Sequence, residues 1–173
     1  MRRFVYREAS VEDAEAIMAL YRIIGQETDN FTFGTEGLFS DVQKQQEDIL
    51  NSSNDDKAFF LLVLLKDELI GYGRLLSMPR RLSHRAELAI AVKKSYWNNG
   101  IGKQIMERLI HNARISGIEL IDLRVRSDNQ RAIHLYHKFG FKTVGTIPAY
   151  LKIGDVYHDT DLMCLDLRQR IEE

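Results

Sequence analysis

Apolar positions change their period along the chain, and each change marks an element. Ala14, Ile17, Met18, Tyr21 and Ile24 recur three or four apart, which predicts an amphipathic helix over residues 11–24. Ser10, with Asp13 three residues on, resembles a capping box at its start, with Asp in place of Glu or Gln. Phe4–Glu8 before it reads as a strand. The polar, glycine-bearing stretch 25–37 follows, carrying Phe31 and Phe33. These read as aromatics tucked under the core, the alternative being that they line a substrate pocket. A second helix is expected over 38–50, then a turn cluster at 51–56. Residues 58–65 and 69–76 flank Lys66-Asp67-Glu68 as a hairpin. The run FFLLVLL lacks alternation, so both faces of that strand should be covered. A loop at 78–81 leads to a strand at 83–92, whose Leu88, Ile90 and Val92 are interleaved with Ala89 and Ala91.

Gly100 and Gly102 then open a helical pattern (Ile101, Ile105, Met106, Leu109, Ile110, Ala113) that runs to about residue 115, with Gly117 as its stop. Residues 118–125 read as a strand, and 130–139 as a helix with Ala132, Leu135, Tyr136 and Phe139 on its apolar face, ended by Gly140. Two last strands, 141–147 and 157–167, are joined through Pro148 and Gly154. The order β-α-α-β-β-β-α-β-α-β-β implies a mixed sheet with helices on both faces.

The junction at residues 86–115 suggests chemistry. A strand feeds a glycine-bearing loop and then a helix N-terminus, where unpaired backbone N–H groups and the helix dipole favour an anion. No acid occupies the first helical turn; Lys103 stands there, and the first carboxylate is Glu107. Lysine at that end is mildly unfavourable, by about 0.3–1 kcal/mol, unless something negative binds. The bland alternative is an ordinary turn that uses its glycines only to reverse direction. A P-loop is excluded, because Trp97 and Gln104 occupy its first and last required places. A dinucleotide fingerprint lacks its third glycine, where Ile105 stands.

The chain has 173 residues and a formal net charge of −1, which suits one domain with a sizeable core and no global field for nucleic acid or membrane. One cysteine, Cys164, excludes an internal disulfide. The start MRRFVYREAS turns polar at once, so no leader pattern is read, and no apolar run is long enough to span a bilayer. A cytoplasmic location is the resulting expectation.

The run VKKSYWNNGIGK resembles the acetyl-CoA motif of the GNAT superfamily of N-acetyltransferases, written Gln/Arg-x-x-Gly-x-Gly/Ala after a strand ending in valine. Trp97 departs from Gln/Arg at the first place. A second run, LRVRSDNQRAIHLYHKFGFKTVG, resembles the next strand, helix and strand of the same fold, and the two matches cover residues 86–145. The resemblance implies a mostly antiparallel sheet of about seven strands, and acetyl-CoA as co-substrate. It assigns pantetheine docking to Ile90, Ala91 and Val92, on a strand that splays from its neighbour. Pyrophosphate binding falls to the backbone of Asn98, Asn99, Gly100, Ile101, Gly102 and Lys103.

Asn129 and Tyr136 are seven apart, on one helix face and about 10 Å from each other. By resemblance Asn129 binds pantetheine and Tyr136 protonates the departing thiolate. Read without the family, Asn129 is a helix cap and Tyr136 a core aromatic. With a phenol pKa near 10, an acid role would also give the rate profile a high-pH limb. The expected base is Glu87, on the same face of its strand as Ala89 and Ala91; the alternative is that it pairs with Arg85 or another rim charge. Relatives that place the base on the following strand have glutamate where this chain has Arg124, so that arrangement fails here. Glu27, Asp122 and His158 are outside candidates.

Cys164 lies between apolar neighbours without a helpfully spaced histidine and reads as a core thiol rather than an acyl-enzyme nucleophile. The histidines show no metal spacing beyond His134 and His137. The expectation is therefore direct acetyl transfer to a primary amine of a small molecule, without metal. A protein N-terminal or lysine acetyltransferase and a non-catalytic acyl-CoA-binding module are the alternatives. Glu27, Asp29 and Asp159 are acids that could meet a cationic amine. A homodimer stays open.

Overall fold

The computed structural model describes residues 3–168; Met1 and Arg2, at the start of the segment read as lacking a leader, lie outside the described residues. The elements are β1 (Phe4–Glu8), α1 (Ala14–Glu27), α2 (Val42–Ser53), β2 (Phe59–Leu65), β3 (Glu68–Ser77), β4 (Arg85–Val92), α3 (Ile101–Ile115), β5 (Leu120–Arg126), α4 (Gln130–Lys138), β6 (Lys142–Ile153) and β7 (Val156–Asp166). Seven strands form one sheet in the order β1-β2-β3-β4-β5-β7-β6. Every neighbouring pair is antiparallel except β4 and β5, which run parallel and are joined by the α3 crossover.

Two apolar clusters cover the two faces. Leu61 and Val63 of β2 join Ile105, Met106 and Leu109 of α3 on one face. Phe60 and Leu62 join Ile17, Tyr21 and Ile24 of α1 on the other. This is why FFLLVLL shows no alternation: a strand between two helical layers has no wet face. Phe33 is 9% exposed and packs edge-on to Tyr21, while Phe31 stacks on Phe33 at 5.3 Å, so the loop aromatics do tuck under the core.

Several boundaries differ from the sequence pattern. The helix α1 continues to Glu27 through Gly25, and only glycine fits there, since a Cβ would lie 1.9 Å from the Gly34 carbonyl oxygen. Glycine lets the following loop press against the helix. The second helix starts at Val42, where the Asp41 side chain accepts from Lys44 N–H, and absorbs Asn51–Ser53 of the expected turn cluster. On α4 the most buried neighbour of Tyr136 is Ile133, absent from the expected face, while Ala132, Leu135 and Phe139 are only partly buried. β6 does not stop before Pro148; it bulges between Ile147 and Leu151, with Ala149 at φ 51°, and continues to a tight turn at Gly154.

Candidate active site

β4 is the strand that makes a site. Along one edge it pairs with β3 from Ala86 to Val92. Along the other it pairs with β5 only over Arg85, Ala86 and Glu87, against Leu120, Ile121 and Asp122. Beyond Glu87 the parallel neighbours diverge, so the β5-facing backbone groups of residues 88–92 have no strand partner. A thioester arm entering such a gap can complete the ladder with its own amides, which the exposed edge otherwise leaves unsatisfied. Ile90 and Val92 pack toward α3, and Ala91 is 5% exposed beneath α1. The two alanines do pack under a helix, and they also line the face of the gap on which Glu87 stands.

The loop from β4 to α3 is braced by its own side chains. Trp97 Nε1–H donates to the Val92 carbonyl at 2.7 Å. Asn99 Nδ2 donates to the Tyr96 and Trp97 carbonyls at 3.0 Å each. Glu27 at the end of α1 accepts from Lys94 N–H at 2.7 Å, which anchors the loop to α1. Asn98 and Gly100 both have positive φ, 65° and 75°, and Gly100 is the residue before the first turn of α3. A Cβ on Gly100 would meet nothing within 4 Å, so its glycine serves the left-handed backbone and leaves open space before the helix. At Gly102 a Cβ would come 3.2 Å from Leu135 Cδ2, so that glycine also lets α3 and α4 approach. The Ile101 side chain is 2% exposed and belongs to the core; only its backbone N–H is available to a ligand. Lys103 is exposed, with Glu107 3.7 Å away. No acid lies in the first turn of α3.

At Trp97, where the chain departs from the motif, the structure adds a contact from another helix. Arg131 of α4 lays its guanidinium 4.6 Å from the Trp97 ring centroid and donates to Asn98 Oδ1 at 2.9 Å. A guanidinium thus reaches this loop from another helix. Its position in the sequence, thirty-odd residues downstream, carries no sign of that.

Asn129 precedes the first turn of α4 and its Oδ1 accepts from Ala132 N–H at 3.3 Å, the capping geometry. Its amide N–H groups remain for a ligand. Tyr136 is 6% exposed, and its hydroxyl makes no hydrogen bond among the described residues. Burial pushes the phenol well above its ordinary range. It therefore keeps its proton through the working pH range, and the expected high-pH limb moves out of reach.

Glu87 Oε1 accepts from Arg124 Nη1 at 2.7 Å. The alternative reading thus holds in its second form: Arg85 is taken by Asp122, at 2.7 and 2.6 Å, and the rim charge that pairs with Glu87 is Arg124. Cys164 beside the Arg85–Asp122 pair is only partly buried and lies 3.8 Å from Arg85 Nη2, so it is not the core thiol expected; burial is the largest cause that raises its thiol. His158 lies 3.9 Å from Asp128, at the far end of β5. The structure thus places Glu87 and Ala91 on one face of β4 at its open edge and Tyr136 within the α3–α4 side of the core, and leaves Glu27, Asp122 and His158 to other partners. Two surface hollows lie elsewhere, about 220 Å³ bordered by Ser52, Asp55 and Asp56, and about 290 Å³ between Tyr6 and Arg108. Among the described residues no group of three or more His, Cys, Asp or Glu side chains could hold a metal, and no helix is long and apolar enough to cross a membrane.

Comparison with known proteins agrees with this geometry. Residues 17–141 match the model of the Acetyltransferase (GNAT) family. The fold superposes on a GNAT-family acetyltransferase from Streptococcus pneumoniae with a TM-score of 0.91 and 29% identity, covering 95% of this chain and 99% of that one. A Salmonella typhimurium structure solved with its cofactor acetyl-CoA shares the fold at a TM-score of 0.84 and 19% identity, over 97% of this chain and 96% of that one. The L-amino acid N-acyltransferase of Escherichia coli is 28% identical over 89 residues, 51% of this chain and 52% of that protein. The chain spans about half or less of the length of the curated relatives it matches.

Proposed function

Because the chain belongs to the Acetyltransferase (GNAT) family, we propose that it moves an acetyl group from acetyl-CoA directly to the primary amine of a small molecule, in the cytoplasm. The observation that carries this reading is the one-sided opening of β4 after Glu87, at the carboxyl end of a parallel strand and beside an acid-free helix N-terminus. The pyrophosphate sits on the backbone of Asn98, Asn99, Gly100, Ile101, Gly102 and Lys103. Pantetheine lies along Ile90, Ala91 and Val92 and meets the Asn129 amide. Residues that bind only through backbone explain why Trp97 can replace Gln or Arg without losing the site.

In the reaction Glu87 takes one proton from the ammonium and passes it to solvent. The neutral nitrogen attacks the thioester carbonyl carbon, and the second proton the nitrogen sheds replaces the one that Tyr136 gives up. A β4 backbone N–H in the gap donates to the oxyanion that forms. The C–S bond then breaks, and the thiolate takes a hydrogen bond and then a proton from Tyr136. A desolvated phenol is a poor acid in isolation, but a thiolate expelled into the same dry space is correspondingly more basic.

Glu87→Gln and Tyr136→Phe test the two roles together. Each should lower kcat by about 10²–10⁴ with acetyl-CoA affinity kept. The Glu87→Gln loss should shrink as pH rises and more amine is already neutral. Turnover of Tyr136→Phe within a few-fold of wild type would return Tyr136 to a packing role. Stoichiometric acetyl-CoA binding without amine-dependent CoA release would make the chain a binding module instead.

A further inference from the structure

Six arginine–carboxylate pairs occur among the described residues, and one differs from the rest. Arg7–Asp13, Arg74–Asp48, Arg85–Asp122, Arg126–Asp128 and Arg168–Asp166 are all two-point forks, each carboxylate oxygen taking its own N–H. Arg124–Glu87 is made through one contact, Nη1 to Oε1 at 2.7 Å. Among the described residues Glu87 Oε2 accepts nothing and Arg124 Nε and Nη2 donate nothing. Both members therefore keep open valences of opposite kind, a carboxylate oxygen for a cation and two parallel N–H groups for an anion.

The place of this half-made pair gives it meaning. Glu87 is the last β4 residue in register with β5, opposite Asp122, and Arg124 stands two residues beyond Asp122 on the same face of β5. The pair thus bridges the mouth of the gap, on the side of Ala89 and Ala91. Its side chains are 32% and 46% exposed, so a small solute can reach them and separating them costs little. The neighbouring arginines on that face are committed: Arg85 to Asp122, and Arg126 to Asp128 and the Asp29 carbonyl at 3.2 Å. Arg124 is left as the anion receptor nearest the expected base.

We propose that the acceptor is an amine with a carboxylate one carbon away, an α-amino acid, which binds with its carboxylate on the Arg124 fork and its ammonium on Glu87. This rests on the acyl-transfer reading and narrows it. A polyamine or a lysine side chain would bring a cation toward Arg124 with nothing to satisfy it. A peptide N-terminus has an amide where the carboxylate should be. A zwitterion meets both open valences, and its ammonium is already hydrogen-bonded to the oxygen that must take its proton.

The test is CoA release with each of the twenty L-amino acids and with the matching carboxamides, on wild type, Arg124→Met and Arg124→Lys. Wild type should favour the preferred amino acid over its carboxamide by about 10–100-fold in kcat/KM, a charge-assisted hydrogen bond's share. Arg124→Met should collapse that ratio to within a few-fold, mainly through KM, and Arg124→Lys should restore part of it. The ratio is insensitive to any uniform loss from disturbing Glu87. Equal use of acid and amide by wild type, or an unchanged ratio in Arg124→Met, overturns the proposal while acyl transfer stands. No CoA release with any amino acid or carboxamide overturns the proposal, and no release with a polyamine or a lysine peptide either overturns acyl transfer as well.

Discussion

The two edges of β4 are built from one strand and behave as opposites. Toward β3 the ladder is continuous, and the side chains behind it are packed so closely that a Cβ on Gly73 would lie 2.3 Å from Ile105 Cγ2. Toward β5 the ladder ends after three pairs, and what bridges the strands is an ion pair rather than backbone hydrogen bonds. The closed edge supplies rigidity; the open edge supplies unpaired backbone and chargeable side chains. A site needs both, because groups held to within a fraction of an ångström must also be left without protein partners.

If the closed edge carries the stability, damage there should unfold the chain without altering the chemistry. Leu75 is fully buried opposite Leu88 of β4. Leu75→Ala should cost about 2–5 kcal/mol in denaturant unfolding, with acetyl-CoA affinity of the folded protein unchanged. An affinity loss larger than the unfolded fraction explains would show that the edges are not separable.

Asn129 sharpens the comparison, since it caps α4 and is proposed to meet the cofactor as well. Asn129→Ala should lose about 1 kcal/mol of stability with the Ala132 N–H cap, and should also weaken acetyl-CoA binding. Asn129→Asp keeps the accepting oxygen and removes the amide donors. Its stability should stay near wild type while cofactor affinity falls; equal affinity in calorimetry would leave Asn129 a cap alone.

The smallest effect lies at the far edge of the sheet. The Arg7 hydrogen bonds hold the Asp13 carboxyl down to about 2, against a usual value near 3.9. A lowered folded-state pKa stabilises above the unfolded value and loses that contribution as pH falls through the folded one. Stability should therefore decline between about pH 4 and pH 2, and Asp13→Asn should flatten that part of the acid limb. Its kcat at neutral pH should not move. A changed kcat would tie this remote pair to the gap.

Much of the fold is legible in the amino-acid order, and for local reasons. The period of α1 and α3, the capping pattern at Ser10 and the unbroken FFLLVLL each follow from neighbours within a turn or a strand. Spacing and resemblance single out Glu87, Asn129 and Tyr136, and the structure places Glu87 at the last paired position before β4 and β5 part and Asn129 at the cap of α4. Helix starts and strand ends are less legible, because Asp41 rather than Leu38 provides the cap, and because a bulge carries β6 past Pro148.

By itself the sequence determined the order of elements and, α4 apart, the face each helix buries, since these depend on residues close along the chain. Only the tertiary structure decided that β4 and β5 part after Glu87, that Arg131 lies on Trp97, and that Arg124 meets Glu87 through a single contact. Those pairings join residues more than thirty positions apart. No local period encodes them, because they arise where separately packed layers meet.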